Sequence, residues 1–292
     1  MPWQAWFVAL AAIWGCSFWF MKVGLRGLSA VEVAFWRLAL GALALAAIAA
    51  VTRTPMPRGR RTWWDLALIG GLGNSLPFLL FAYGETHVSS VLAGIINAAT
   101  PLATIAFTLA VFRDEPASRH RLAGLALGFA GVLVVLGVWD GVGSGQWRGM
   151  LACLGAVACY GFAYPYAQRT VAGTGSPVGL ATGQIGLATL LLVPVLPFAW
   201  GGGGPVTGDV VAAMLCLGVF GSGIAFALNF RIVEAAGATV SSTVTYVIPL
   251  FAVLAGLVFL GEGMSWHEPV GGAVVLLGVA VGSGRLRARR PG

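Results

Sequence analysis

The chain has 292 residues, of which 58% are hydrophobic and 9% charged, and its mean hydropathy is +0.89. Soluble domains run at about 45–50% apolar and about 25% charged, so this composition excludes a water-soluble fold. The formal net charge of +7 does not mark a nucleic-acid binder, because the basic residues are spread over short gaps between apolar runs and a terminal tail.

Ten apolar stretches long enough to cross a hydrocarbon core of about 30 Å recur, at about 3–22, 31–51, 65–83, 89–112, 119–138, 147–167, 178–199, 209–230, 238–260 and 267–284. They are continuous rather than alternating, and in lipid a helix satisfies its own backbone, so the predicted fold is an all-α integral membrane protein with ten transmembrane helices. The first stretch lacks a basic leader and is followed by further spans, so it reads as a permanent helix that is not cleaved. It carries Trp14, Ser17, Phe18 and Met21 at helical spacing.

The second stretch carries Glu32 at its start and Arg37 about six residues in, on the order of 9 Å along the axis. Arg37 is the clearest charge within a span. Snorkelling, a neighbouring helix and a substrate carboxylate are all open to it, and Glu32, Arg37 and Gln184 form a candidate charge or gating set. The third stretch places Asn74, Phe78 and Phe81 on one face, and the fourth does the same with Gly94, Asn97, Pro101, Thr104 and Thr108. Pro101 has no amide hydrogen for the carbonyl of Asn97, and in the ninth stretch Pro249 likewise frees that of Thr245. Each freed carbonyl either contacts substrate or ordered water, or is satisfied by a neighbour in a merely kinked helix.

The glycine-rich segment 139–146 forms a seam after five stretches. Beyond it the pattern returns: Gly15 falls on Gly161, Arg37 on Gln184, Asn74 on Ser222 and Pro101 on Pro249, at offsets of 146 to 148. The second half therefore supplies Tyr160 and Tyr164 opposite the first stretch, Phe226 and Asn229 opposite the third, and Ser241, Ser242, Thr245, Tyr246 and Pro249 opposite the fourth. An odd number of spans per half makes the halves antiparallel, giving two inverted five-helix repeats, 1–146 and 147–292, in one membrane domain. Inverted repeats can exchange conformations, so this symmetry points to alternating access.

The expected substrate-binding set is Trp14, Ser17, Asn74, Phe78, Asn97, Pro101, Tyr160, Tyr164, Phe226, Asn229, Thr245, Tyr246 and Pro249. Aromatic rings with a few amides suit a ligand with an apolar body and a polar head. Placing both termini in the cytoplasm puts thirteen of the seventeen basic residues inside, the tail Arg285, Arg287, Arg289 and Arg290 among them, which fixes the orientation. Cys16, Cys153, Cys159 and Cys216 lie within spans as packing residues, with no metal-binding spacing. The three histidines lie near span ends, and no paired carboxylates or hydrolase motif occur, so an enzyme is not expected, nor a cofactor or metal.

Several segments resemble one family: 14–18 (WGCSF), 29–37 (SAVEVAFWR), 91–101 (VLAGIINAATP) followed by Asp114-Glu115-Pro116, and 241–249 (SSTVTYVIP) followed by Leu260-Gly261-Glu262. Together they resemble EamA-type exporters of the drug/metabolite transporter superfamily. The resemblance implies a central cavity built from the first, third, fourth, sixth, eighth and ninth spans, and bacterial export of amino acids or related metabolites. The expected function is a secondary transporter exporting small amphipathic metabolites, aromatic amino acids among them, across the bacterial inner membrane. Multidrug or nucleobase export and a non-transporting scaffold or receptor are the alternatives. The partners expected are a small-molecule substrate and the lipid bilayer, with no nucleic acid, and one chain suffices for a pathway although a dimer is compatible.

Overall fold

The computed structural model describes residues 3–113, 118–139, 146–171, 173–199, 201, 203–236 and 243–282. The seam segment from Asp140 to Gly145, the turn Asp114-Glu115-Pro116, Ser241, Ser242 and the basic tail lie outside the described residues. Helix α1 spans Trp3–Gly24, α2 Ala30–Val51, α3 Arg60–Glu85, α4 Ser90–Phe112, α5 Arg119–Val135, α6 Gln146–Thr170, α7 Pro177–Phe198, α8 Gly208–Asn229, α9 Val244–Phe259 and α10 His267–Gly282. Helical structure runs on from α8 to Ala236. No strand occurs among the described residues.

Seven helices, α1 to α4 and α6 to α8, are long and apolar enough to cross a membrane. Helices α9 and α10 are apolar but shorter, and α5 has 17 residues. At about 1.5 Å per residue, 17 residues reach only about 26 Å, short of a hydrocarbon core of about 30 Å. The expected count of ten full spans therefore becomes seven long helices and three shorter ones among the described residues.

Local sequence explains the helix starts. Ser29 caps α2 in a complete capping box, its side chain accepting from Glu32 N while Glu32 accepts from Ser29 N at 2.8 Å. Ser89 caps α4 by accepting from Leu92 N at 3.0 Å. Three spans depart from regular α-geometry in their interiors, and α9 does so at its start. Helix α3 has a π-turn at Gly71–Ser75 and α8 a longer one at Cys216–Ile224. Helix α4 breaks between Asn97 and Thr100, where Ala98 N and Ala99 N tighten onto the carbonyls of Ile95 and Ile96. Helix α9 begins with a 3₁₀ turn at Thr243–Tyr246 before its α-helical part, Ile248–Phe259. Pro101 and Pro249 each sit in the first turn of the helix after the break, where a missing N–H costs least.

Small residues set the close helix contacts. A Cβ on Gly15 of α1 would lie 2.8 Å from the Ile248 carbonyl of α9, and one on Gly161 of α6 would lie 2.7 Å from the Ala103 Cβ of α4. Gly70 of α3 meets the Gln184 carbonyl of α7 at 2.8 Å in the same sense, and Gly218 of α8 meets the Arg37 carbonyl of α2 at 3.2 Å. Helices α5 and α10 pack along one another through Gly124, Gly131, Gly271 and Gly278, and meet the rest of the bundle mainly at α4. The remaining eight helices surround a central space.

Candidate functional site

Eight helices, all but α5 and α10, line a cavity of about 290 Å³. That is near the lower end of the about 300–1,000 Å³ typical of small-molecule sites. The lining is mostly apolar and aromatic, with amides from Asn74, Asn97, Gln184 and Asn229 and hydroxyls from Ser17, Thr100, Tyr160, Tyr164 and Thr245. Among the described residues Arg37 is its only charged lining residue, and none of them is a carboxylate.

The irregular turns bring these groups inward. The π-turn of α3 holds Gly73 and Asn74 at the cavity, and that of α8 offers its Gly221 carbonyl to Trp14 Nε1 at 3.2 Å. Such turns widen a helix and recur at functional sites. At the break in α4, Thr100 Oγ1 donates to Asn97 Oδ1 at 3.3 Å, orienting that amide. Rings run through the cavity in series: Phe18 meets Phe81 edge-on at 5.4 Å, Phe81 meets Tyr160 at 6.2 Å, and Tyr160 stacks on Tyr164 at 5.5 Å. Trp14 meets Phe226 edge-on at 6.2 Å.

At the cavity, two pairs of polar side chains join residues 1–146 to residues 147–292. Arg37 Nε approaches Ser222 Oγ at 3.4 Å, and Gln184 Nε2 donates to Asn74 Oδ1 at 2.6 Å. The Arg37 guanidinium also lies over the Phe78 ring, 3.7 Å from its centroid. Its stem is buried rather than snorkelled, and among the described residues no carboxylate is bonded to it. Arg37 thus retains donors of the fork geometry that fits a ligand carboxylate.

One end of the cavity is closed. Below the Phe18–Phe81 contact and the fully buried Met21, Lys22 Nζ donates to the backbone carbonyls of Glu85 and Val88, the latter at 2.8 Å. The Glu262 carboxylate, just beyond α9, accepts from Ser90 N at 3.0 Å, Ser90 Oγ at 2.7 Å and Val91 N at 3.1 Å at the start of α4. These bonds tie the ends of α1, α3 and α9 to the start of α4. Toward the other end the lining passes to Asn229, Ala167 and Tyr164, whose residue is 49% exposed.

Of the sequence-derived set, Trp14, Ser17, Asn74, Phe78, Asn97, Tyr160, Tyr164, Phe226, Asn229 and Thr245 line this cavity, as do Arg37 and Gln184. Pro101, Tyr246 and Pro249 do not: the prolines act on the backbone beside the cavity, and Tyr246 packs against the apolar core. Glu32 is also elsewhere, held by Ser29 N and by Gly201 N at 3.2 Å, which makes it a helix cap at the closed end. The Ser-x-x-Glu spacing at 29–32 is the sequence signal for that role. Helices α2 and α7 join the six spans that the resemblance implied as cavity walls. The sequence reading did not assign Lys22, Glu85 or Glu262 to the closed end, because charges near span ends look interfacial until the helices are packed.

The description "EamA-like transporter family" fits this chain twice, over residues 1–137 and 147–283. The chain belongs to the EamA-like transporter family. EamA-like relatives include a probable terminal-alkyne amino-acid exporter of Streptantibioticus cattleyicolor, 28% identical over 98% of this chain and 95% of that protein. The uncharacterized inner membrane transporter YedA of Escherichia coli is 24% identical over 94% of this chain and 88% of its own length. A WAT1-related chloroplastic protein of Arabidopsis thaliana is 28% identical over 91% of this chain, which spans 66% of that longer protein. A solved crystal structure aligns over 98% of this chain and 99% of its own with a TM-score of 0.67 at 17% identity, which shows a shared fold. With its apolar helices, this EamA-like chain is a multi-pass membrane protein whose role is transport rather than catalysis.

Proposed function

We propose that the chain is a secondary carrier that exports small carboxylate-bearing amphipathic metabolites, amino acids foremost and aromatic ones among them, across the bacterial inner membrane by alternating access. The observation that carries this reading is Arg37, among the described residues the single charge of an otherwise apolar, aromatic and amide-lined cavity. A guanidinium there attracts a carboxylate, the amides serve the remaining polar groups, and the ring series from Phe18 to Tyr164 accommodates an apolar side chain. The same charge disfavours cationic drugs, and nucleobases bring no carboxylate to it. The amino-acid exporter among the relatives supports the same substrate class.

Alternating access rests on ten helices in two inverted repeats, 1–146 and 147–292, a reading that paired contacts support. Arg37 and Ser222 correspond by repeat offset to Gln184 and Asn74, and each pair is joined across the halves. The approach of Gly218 to the Arg37 carbonyl likewise corresponds to that of Gly70 to the Gln184 carbonyl. The two separate family matches fit the same division. With both termini cytoplasmic, the closed end faces the periplasm and the cavity is accessible from the cytoplasm, a loading state for export. A single chain supplies all the described lining of the cavity, so one chain in the lipid bilayer suffices for a pathway, and a dimer is compatible with it.

Counterflow in proteoliposomes tests this. Vesicles preloaded with unlabelled tryptophan, phenylalanine, methionine or threonine should transiently accumulate the labelled form of a transported member. Accumulation of nucleobases or cationic drugs, with none of any amino acid, would replace the substrate assignment. Flat traces for every compound with folded protein would favour a scaffold.

A further inference from the structure

Among the described residues, Glu85 is the least accommodated ionisable side chain. It closes α3, is fully buried, and neither carboxylate oxygen has a hydrogen-bond partner. Buried polar groups are nearly always paired, and an ionisable group among membrane spans marks a functional pathway more often than a packing device. Nothing in the substrate cavity uses it.

Its position suggests what it does. Phe81, one turn earlier on α3, belongs to the floor of the central cavity, and Met21, beside Lys22, lines the same floor. Three and four residues after Glu85, Val88 and Ser89 line a second cavity of about 260 Å³, together with Gln146, Ser265, His267 and Glu268. Glu85 therefore lies in the wall between the substrate cavity and a polar vestibule at the closed end. Lys22 grips the backbone at Glu85 and just after it, through the carbonyls of Glu85 and Val88, so any movement of α1 away from the α3–α4 turn changes its surroundings.

We infer that Glu85 is a proton-binding site that exchanges with the vestibule when the α1, α3, α4 and α9 seal opens, linking proton movement to substrate movement. This rests on the carrier reading above. The step is a simple acid–base exchange: an O–H bond forms on one carboxyl oxygen when a proton arrives, and breaks when the proton leaves for vestibule water. The charged and titratable groups acting on it are Lys22 of α1, Arg37 of α2, Cys153 of α6 and Glu262 beyond α9, with Tyr83 and His87 adjacent along its own segment. Arg37 faces the substrate cavity, and its charge follows those of Lys22 and Glu262 in its influence on Glu85. A substrate carboxylate and an ionised Glu85 draw on the same positive charge, so their occupancies are interdependent.

The test uses the full chain in proteoliposomes containing a trapped pH-sensitive dye. A substrate gradient imposed without a pH gradient should move protons in the parent and in Glu85→Asp. In Glu85→Gln proton movement should fall at least tenfold while labelled-substrate counterflow stays within about threefold. Infrared difference spectra across a pH jump should show a carboxyl band in the parent that Glu85→Gln removes. Net substrate flux down the imposed gradient without proton movement in the parent would overturn the proposal, as would undiminished proton movement in Glu85→Gln or the band surviving in that variant. A band lost in Glu85→Gln, in a parent that gives no counterflow with any compound, would keep the proton site and refute the carrier reading instead.

Discussion

Replacing Arg37 by glutamine removes the only charge among the described residues of the cavity with little disturbance to its packing, because the repeat-related position already holds Gln184, bonded to Asn74 at 2.6 Å. Glutamine at 37 faces Ser222, the counterpart of Asn74, so a hydrogen-bond partner is present and the fold should survive. What is lost is the pairing of a guanidinium with a substrate carboxylate. A hydrogen bond to a charged group contributes about 1.5–3 kcal/mol, and about 1.4 kcal/mol is a factor of ten, so Arg37→Gln should weaken binding of the transported amino acid about 10- to 100-fold. The selective signature lies in the analogues. The parent should prefer the amino acid over its decarboxylated amine by a similar factor, and the variant should lose that preference while binding the amine at least as well. Competition against labelled substrate in counterflow, run alongside melting curves in detergent, reads both quantities. An Arg37→Gln protein that is folded and still discriminates the carboxylate as the parent does would refute the assignment of Arg37 as its receptor.

Two further perturbations address the seal and the helix packing. Glu262→Ala removes three hydrogen bonds holding α9 against α4, so a cysteine placed at Met21, with Cys16, Cys153, Cys159 and Cys216 replaced by alanine, should react with an impermeant maleimide about tenfold faster; an unchanged rate would mean that Glu262 does not hold the seal. Gly131→Ala sets a Cβ 2.6 Å from Val275 N between α5 and α10, which should destabilise by about 1–3 kcal/mol, whereas Gly186→Ala meets nothing within 4 Å and should be neutral or slightly stabilising; equal melting temperatures for the two would contradict this packing.

Much of the cavity was legible because membrane spans penalise polar groups. Asn74, Asn97, Gln184 and Asn229 stand out in apolar runs, and helical spacing puts Asn74 on one face with Phe78 and Asn229 on one face with Phe226. Cross-helix pairing was not legible: the repeat offset relates Arg37 to Gln184 and Asn74 to Ser222, but it does not reveal that each pairs with the other's counterpart. The prolines misled in part, since the residue that shapes a break is not the one that faces the space it opens. Pro101 turns the backbone while Asn97 and Thr100 line the cavity, and Pro249 does the same for Thr245 and Ile248. Glu85 escaped notice because at the end of an apolar run a carboxylate looks solvated, whereas the packed helices bury both of its oxygens.

The most direct test of alternating access is to hold the closed end shut. Ser90→Cys and Glu262→Cys, in the background with the four native cysteines replaced, put thiols on the two partners of the seal, and a short bis-methanethiosulfonate reagent can bridge them reversibly. A carrier whose substrate leaves through that end should lose counterflow on bridging and recover it on reduction, with ligand binding from the open end retained throughout. Counterflow that continues at an unchanged rate in fully bridged protein would contradict alternating access through this cavity.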